Sequence, residues 1–107
     1  MTKPWKLFLD DIRNPTDKYQ GLMSQHWVIA RSSEEAKTLV MENGMPELLS
    51  LDHDLGGSDT SMIFLNWLAR EYHNGEDPIP GYFIHSSNPV GSLNMIAFLN
   101  SWRESFM

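Results

Sequence analysis

Four short, largely continuous apolar runs do most to limit what this chain can become: WKLFL from Trp5 to Leu9, WVIA from Trp27 to Ala30, ELLSL from Glu47 to Leu51 and GYFI from Gly81 to Ile84. A strand with one face in water alternates apolar and polar residues, and these runs do not, so they read as strands buried on both faces. Between them the apolar period becomes helical. After the second run, Ser32 and Glu35 have the S-x-x-E spacing of a capping box, and Ala36, Leu39 and Val40 form an i, i+3, i+4 face. Gly44 is the expected stop, and Pro46 bars continuation. After the third run, Ser58 or Asp59 is the expected cap of a helix with Ile63, Leu65, Trp67 and Leu68 inward, running to about Tyr72. After the fourth, a helix from Gly91 onward turns Ile96, Leu99 and Trp102 inward. Residues 12–26 contain Asn14-Pro15 and Gly21 and show no helical period, so they read as an ordered loop with at most one helical turn. The order strand, loop, strand, helix, strand, helix, strand, helix predicts the α/β class: a parallel sheet of about four strands covered by crossover helices.

The 107 residues fit a single domain spanning 1–107, large enough for one core without staples. The chain has no cysteine, which rules out disulfides, thiolate metal sites and a cysteine nucleophile, and suits the reducing cytoplasm. A net charge of -6 argues against binding duplex DNA, where cations must displace counterions. No apolar run approaches a membrane span, and no signal-peptide core is present at the N-terminus.

Each strand is followed at once by polar residues: Asp10, Asp11 and Arg13; Arg31 and Ser32; Asp52, His53 and Asp54; His85, Ser86 and Asn88. In a parallel sheet these ends share one edge, where open α/β sheets bind ligands. Clusters scattered along the chain are therefore expected to converge. Carboxylates brought within a few ångströms must either take up a proton or share a cation. Asp10, Asp11 and Asp52 are the expected ligands of Mg²⁺ or Mn²⁺, with Asp54 a fourth candidate.

The same residues carry a resemblance. An acidic pair after the first strand and an aspartate ending the third are similar to the receiver domains of response regulators. There the three acids hold Mg²⁺ and the third-strand aspartate, matched here by Asp52, accepts a phosphoryl group. Ser86 (or His85) stands where a hydroxyl residue follows the fourth strand. The resemblance implies a three-layer, flavodoxin-like fold, truncated relative to a full receiver: no lysine follows a fifth strand, and the first crossover helix is reduced to a loop. The histidines of LDHDLGG and IHSSNPVG also depart from ordinary receivers. Together with KLFLDDIRNP and WVIARSSEEA, these segments more closely resemble the cyclic-phosphate processing receiver domain, in order from Lys6 to Gly91.

That resemblance implies metal-dependent hydrolysis of a cyclic or terminal phosphate on a nucleotide or RNA end. Asp10, Asp11 and Asp52 would hold the metal, His53 and His85 would be general acid and base, and Arg13, Arg31, Ser86 and Asn88 would bind phosphate. Two other readings are a non-catalytic binder of a nucleotide or phosphorylated signal, and a phosphoacceptor switch at Asp52. A bare sheet edge would be covered by residues 12–26 or by a second subunit in a homodimer.

Overall fold

The middle strands explain the layering. In the computed structural model, which describes residues 4–105, β1 (Lys6–Leu9) pairs in parallel with β2 (Trp27–Ala30) and β3 (Leu48–Leu51), and β4 (Gly81–Ile84) pairs with β3. The strand order is β2-β1-β3-β4. The domain limits expected at 1–3 and 106–107 lie outside the described residues.

Register sorts the side chains. Leu7, Leu9, Ala30, Leu49 and Leu51 share one face and pack with α2 (Ser33–Asn43), α3 (Ser61–Trp67) and α4 (Pro89–Glu104) through Ala36, Val40, Phe64, Leu65, Met95, Leu99 and Trp102, and with Leu68 just after α3. Each fully buried leucine contributes about 1.5–3 kcal/mol relative to exposure. The opposite face carries Phe8, Trp27, Ser50 and Phe83. Its cover is thin: α1 (Pro15–Lys18), a 3₁₀ turn at Gly21–Ser24 and the side chain of Tyr19, which stacks on Trp27 and reaches Phe83. Residues 12–26 thus lie over a face of the sheet. Among the described residues no strand pairs with the outer edge of β4. No helix of the described residues is long and apolar enough to cross a membrane.

Two helices are phased differently from the sequence expectation. In α3, Phe64 and Leu65 are buried and Ile63 is 44% exposed. In α4 the inward positions are Gly91, Met95, Leu99 and Trp102, and Ile96 is only partly buried. The α3 shift has a cause upstream. Residues 54–60 form a tight turn, with Leu55 N–H on Asp59 O and an antiparallel bridge between Asp54 and Thr60, so Thr60 becomes the N-cap. After Trp67 the helix widens into a π turn over Leu68–Tyr72.

Asp59 caps a different helix. Its carboxylate accepts from Ser33 N at 2.9 Å and Ser33 Oγ at 2.5 Å, satisfying a free amide in the first turn of α2. Ser32 Oγ accepts from Glu35 N as the capping box requires, but the Glu35 carboxylate reaches back to Arg31 N, one residue early. Asp59→Ala should therefore destabilise the fold by about 1–2 kcal/mol, the usual cost of a lost N-cap. A urea midpoint unchanged from the wild type would show that the Ser33 contacts contribute nothing.

Candidate functional site

Backbone register delivers three candidate side chains to one place. The ladder runs one residue past each strand: Asp10 N donates to Ala30 O, Asp52 N to Leu9 O and His85 N to Leu51 O. Leu9, Leu51 and Ile84 are partners across β1, β3 and β4, so Asp10, Asp52 and His85 follow them side by side on the carboxyl edge. Asp11 joins from the next position. One carboxylate oxygen from each of Asp10, Asp11 and Asp52 lies within 4.8 Å of the others. Gly56, at φ +91°, sits beside this cluster, and a Cβ there would stand 3.5 Å from Asp11 Oδ2. A positive φ at the first of the paired glycines suits a residue without a Cβ and lets the β3–α3 turn fold back over the acids.

The three acids are not equivalent. Asp10 is 1% exposed. Burial pushes its carboxyl up, but hydrogen bonds from the Arg13 and Ile12 amides and from His85 outweigh it, and the net shift is downward. Asp52 moves the other way. Burial raises it first and the Asp10 charge adds to that, while the His53 amide and the Ser86 hydroxyl oppose. Asp10 thus favours its charged form more than an ordinary carboxyl does, and Asp52 less.

This donor set fits a hard divalent cation. Two oxygens on one Mg²⁺ stand at most about 4.2 Å apart, and on one Ca²⁺ about 5 Å, so the observed spacing needs only small side-chain adjustment. A cation among the carboxylates would also relieve the repulsion that raises Asp52.

The histidines differ as well. His85 stacks on Phe8, with centroids 4.6 Å apart and planes 9° from parallel, and both ring nitrogens are engaged: Nε2 with Asp10 Oδ2 at 3.0 Å and Nδ1 with Ser50 Oγ at 2.8 Å. Burial lowers the His85 pKa despite the opposing pull of Asp10, which favours the neutral ring, and the carboxylate facing Nε2 can only accept, so Nε2–H is the donor of that bond. His53 bonds through Nδ1 to Asp54 Oδ1 at 3.1 Å, and no described hydrogen bond uses its Nε2. Its ring lies against Gly91 in the first turn of α4, where a Cβ would come within 2.4 Å of His53 Cγ.

Asp54 lies outside the acidic cluster. Its side chain is 65% exposed and accepts from His53 Nδ1 and Asn88 Nδ2, which together hold its pKa down. Asn88 is the N-cap of α4, its Oδ1 accepting from Gly91 N. Ser86 accepts from Asn88 N and stands beside Asp52 as a hydroxyl donor. The Arg31 guanidinium donates to the carbonyls of Asp10 and Arg13 and to Asn14 Oδ1, bracing the loop after β1 from beneath. The Arg13 guanidinium makes none of the described hydrogen bonds. Sequence reasoning missed Lys18, whose charge acts on His85, and the Ser50–Tyr19 pair behind that ring. A serine inside the apolar LLSL run was the available signal.

Residues 5–101 match the family model of the cyclic-phosphate processing receiver domain. The chain belongs to this family. Comparison with curated proteins and with solved structures gives no match. In this receiver-like domain the acidic residues after β1 and β3 stand together at the sheet edge, where receivers bind their metal ion.

Proposed function

We propose that this receiver-like domain hydrolyses a cyclic or terminal phosphate on a nucleotide or RNA end with the help of one divalent cation, Mg²⁺ or Mn²⁺. The observation that supports it most is the convergence of Asp10, Asp11 and Asp52, with their oxygens within 4.8 Å, in a chain of the cyclic-phosphate processing family. The cation would supply charge neutralisation at the phosphate and a lowered pKa for water.

The side chains divide the remaining work. Asp54 accepts a hydrogen bond, so His53 Nδ1 is the donor and Nε2, used by no described hydrogen bond, is the nitrogen that would take a proton from an attacking water. His85 orients Asp10 through Nε2–H, and engagement of both its nitrogens suits it poorly to proton transfer. Ser86 orients Asp52. Arg13 and the Val90 amide, the one N–H in the first turn of α4 without a described acceptor, are the groups that would hold non-bridging phosphate oxygens.

With a 2′,3′-cyclic nucleotide and Mn²⁺, the wild type should release the monoester, and His53→Ala should lower turnover by about 10²–10⁴-fold, the usual contribution of an acid–base group. Equal rates for the wild type, His53→Ala and Asp52→Asn would sink the hydrolytic reading. Recovery of intact ligand from a stable complex would favour a binding role.

A further inference from the structure

Behind the acidic edge, three polar groups form a chain that the proposed chemistry does not use directly. Ser50 is fully buried in β3, on the face that carries Phe8 and Phe83. Its hydroxyl lies 2.5 Å from Tyr19 Oη and 2.8 Å from His85 Nδ1, and His85 Nε2 lies 3.0 Å from Asp10 Oδ2. Tyr19 is itself held by stacking on Trp27 and by an edge contact with Phe8.

We propose that Ser50 and Tyr19 are positioning residues that hold the His85 imidazole as its Nε2–H tautomer, pinning the Asp10 carboxylate in the orientation it presents to the site. The consequence for a cation rests on the reading of Asp10 as a metal ligand; the tautomer assignment does not. Donor and acceptor roles decide the direction of the chain. An ionised carboxylate only accepts, so the proton facing Asp10 belongs to Nε2. Nδ1 is then the acceptor, Ser50 O–H points at it, and the Ser50 lone pair accepts from Tyr19 O–H. This direction gives every hydrogen in the chain a described acceptor. The reverse direction leaves the Tyr19 hydrogen with none. Stacking on Phe8 fixes the ring plane, but a half-turn of the imidazole would keep that stacking. The half-turn would put carbons where both nitrogens now stand, so it is opposed by the Asp10 bond and the Ser50 bond together, and Ser50 adds the second hold on the ring. Asp10 Oδ1 is held by the Ile12 and Arg13 amides and Oδ2 by His85, so loss of the ring's orientation frees one of the two oxygens. Groups of this kind, one step behind the ligands, typically change metal affinity by about 10–100-fold when removed.

The test uses ¹⁵N-labelled protein without metal, in which imidazole nitrogen shifts report the tautomer, followed by Mn²⁺ titration of the same samples. The wild type should show His85 as a single Nε2–H tautomer. Ser50→Ala should show a mixture and bind Mn²⁺ about tenfold more weakly. Tyr19→Phe keeps the stacked ring and should shift both readouts in the same direction by less. If Ser50→Ala does not fold, Tyr19→Phe decides on the same two measurements. An unchanged tautomer in the folded variants would overturn the proposal and leave Ser50 a space-filling residue. A wild type that binds no Mn²⁺ refutes the cation reading, and the tautomer comparison still decides this one.

Discussion

Gly91→Ala should lower turnover of a cyclic phosphate by about 10²–10⁴-fold, as much as removing the His53 imidazole itself. A Cβ at position 91 would lie 2.4 Å from His53 Cγ, 2.6 Å from Cδ2 and 2.8 Å from Nδ1. Real Cβ atoms do not sit that close to carbon. The clash is with the root of the ring, so a tilt of the ring tip does not relieve it. The whole imidazole must leave, breaking the bond to Asp54 that sets its tautomer. Helix propensity works the other way: alanine favours a helix over glycine by about 1 kcal/mol. The variant should therefore stay folded, with a melting temperature near that of the wild type. Steady-state kinetics in the His53→Ala background supplies the control. With the ring gone the three atoms nearest the added methyl are gone too, and Gly91→Ala should cost nothing further. Additive losses in the double variant, or full activity in the single one, would show that the contact does not place the proposed acid–base group.

Asp52→Asn should have two opposite effects on stability. Without a cation it should raise the melting temperature; with Mn²⁺ it should remove most of the stabilisation that the wild type gains. The sign follows from the direction of the Asp52 shift. Burial and the neighbouring Asp10 charge raise its folded pKa above the ordinary value of 3.8. A carboxyl raised in the folded state favours the protonated form, so stability falls as the pH climbs from that ordinary value through the raised one. The carboxamide of the variant has no charge to bury. It also keeps an oxygen for the His53 amide, which donates to Asp52 Oδ1 at 2.8 Å. Asp10 behaves in the opposite sense. Its folded pKa is lowered, so its contribution is present above the ordinary value and lost as the pH falls through the depressed one. At a cation concentration of about 100 Kd the wild type should gain about 2.7 kcal/mol, or on the order of 10 °C in a domain of this size. Thermal melts of both proteins at neutral pH, with and without Mn²⁺, measure all four states. An Asp52→Asn protein less stable than the wild type without metal would mean that Asp52 is a structural acid.

What can be read from the residues is what depends on short-range pattern. WVIA and GYFI are strands at the limits the apolar runs suggest, and WKLFL and ELLSL each start one residue later. Asp10, Asp52 and His85 come together because the parallel register sets the ends of β1, β3 and β4 side by side. What cannot be read depends on partners far apart in the chain. Asp59 looks like the cap of the helix after it and caps α2, 26 residues back, because the turn at 54–60 aims its carboxylate at Ser33. Arg31 looks like a phosphate ligand, yet the carbonyls of Asp10 and Arg13 lie within its reach once β1 and β2 pair. His53 and His85 look alike in sequence. Burial against Phe8, with Ser50 and Asp10 on its two nitrogens, sets His85 apart. The phases of α3 and α4 differ by one position at Ile63 and Ile96, because each helix presents an adjacent residue, Phe64 or Met95, to the sheet.

The central claim is that Asp10, Asp11 and Asp52 share one cation. It is tested most directly by the anomalous signal of a crystal soaked in Mn²⁺. The predicted result is a single strong peak about 2.1 Å from one oxygen of each of the three carboxylates, the distance typical of a hard divalent ion. A crystal saturated with Mn²⁺ that shows no peak between these residues, or one held by other groups, would contradict it.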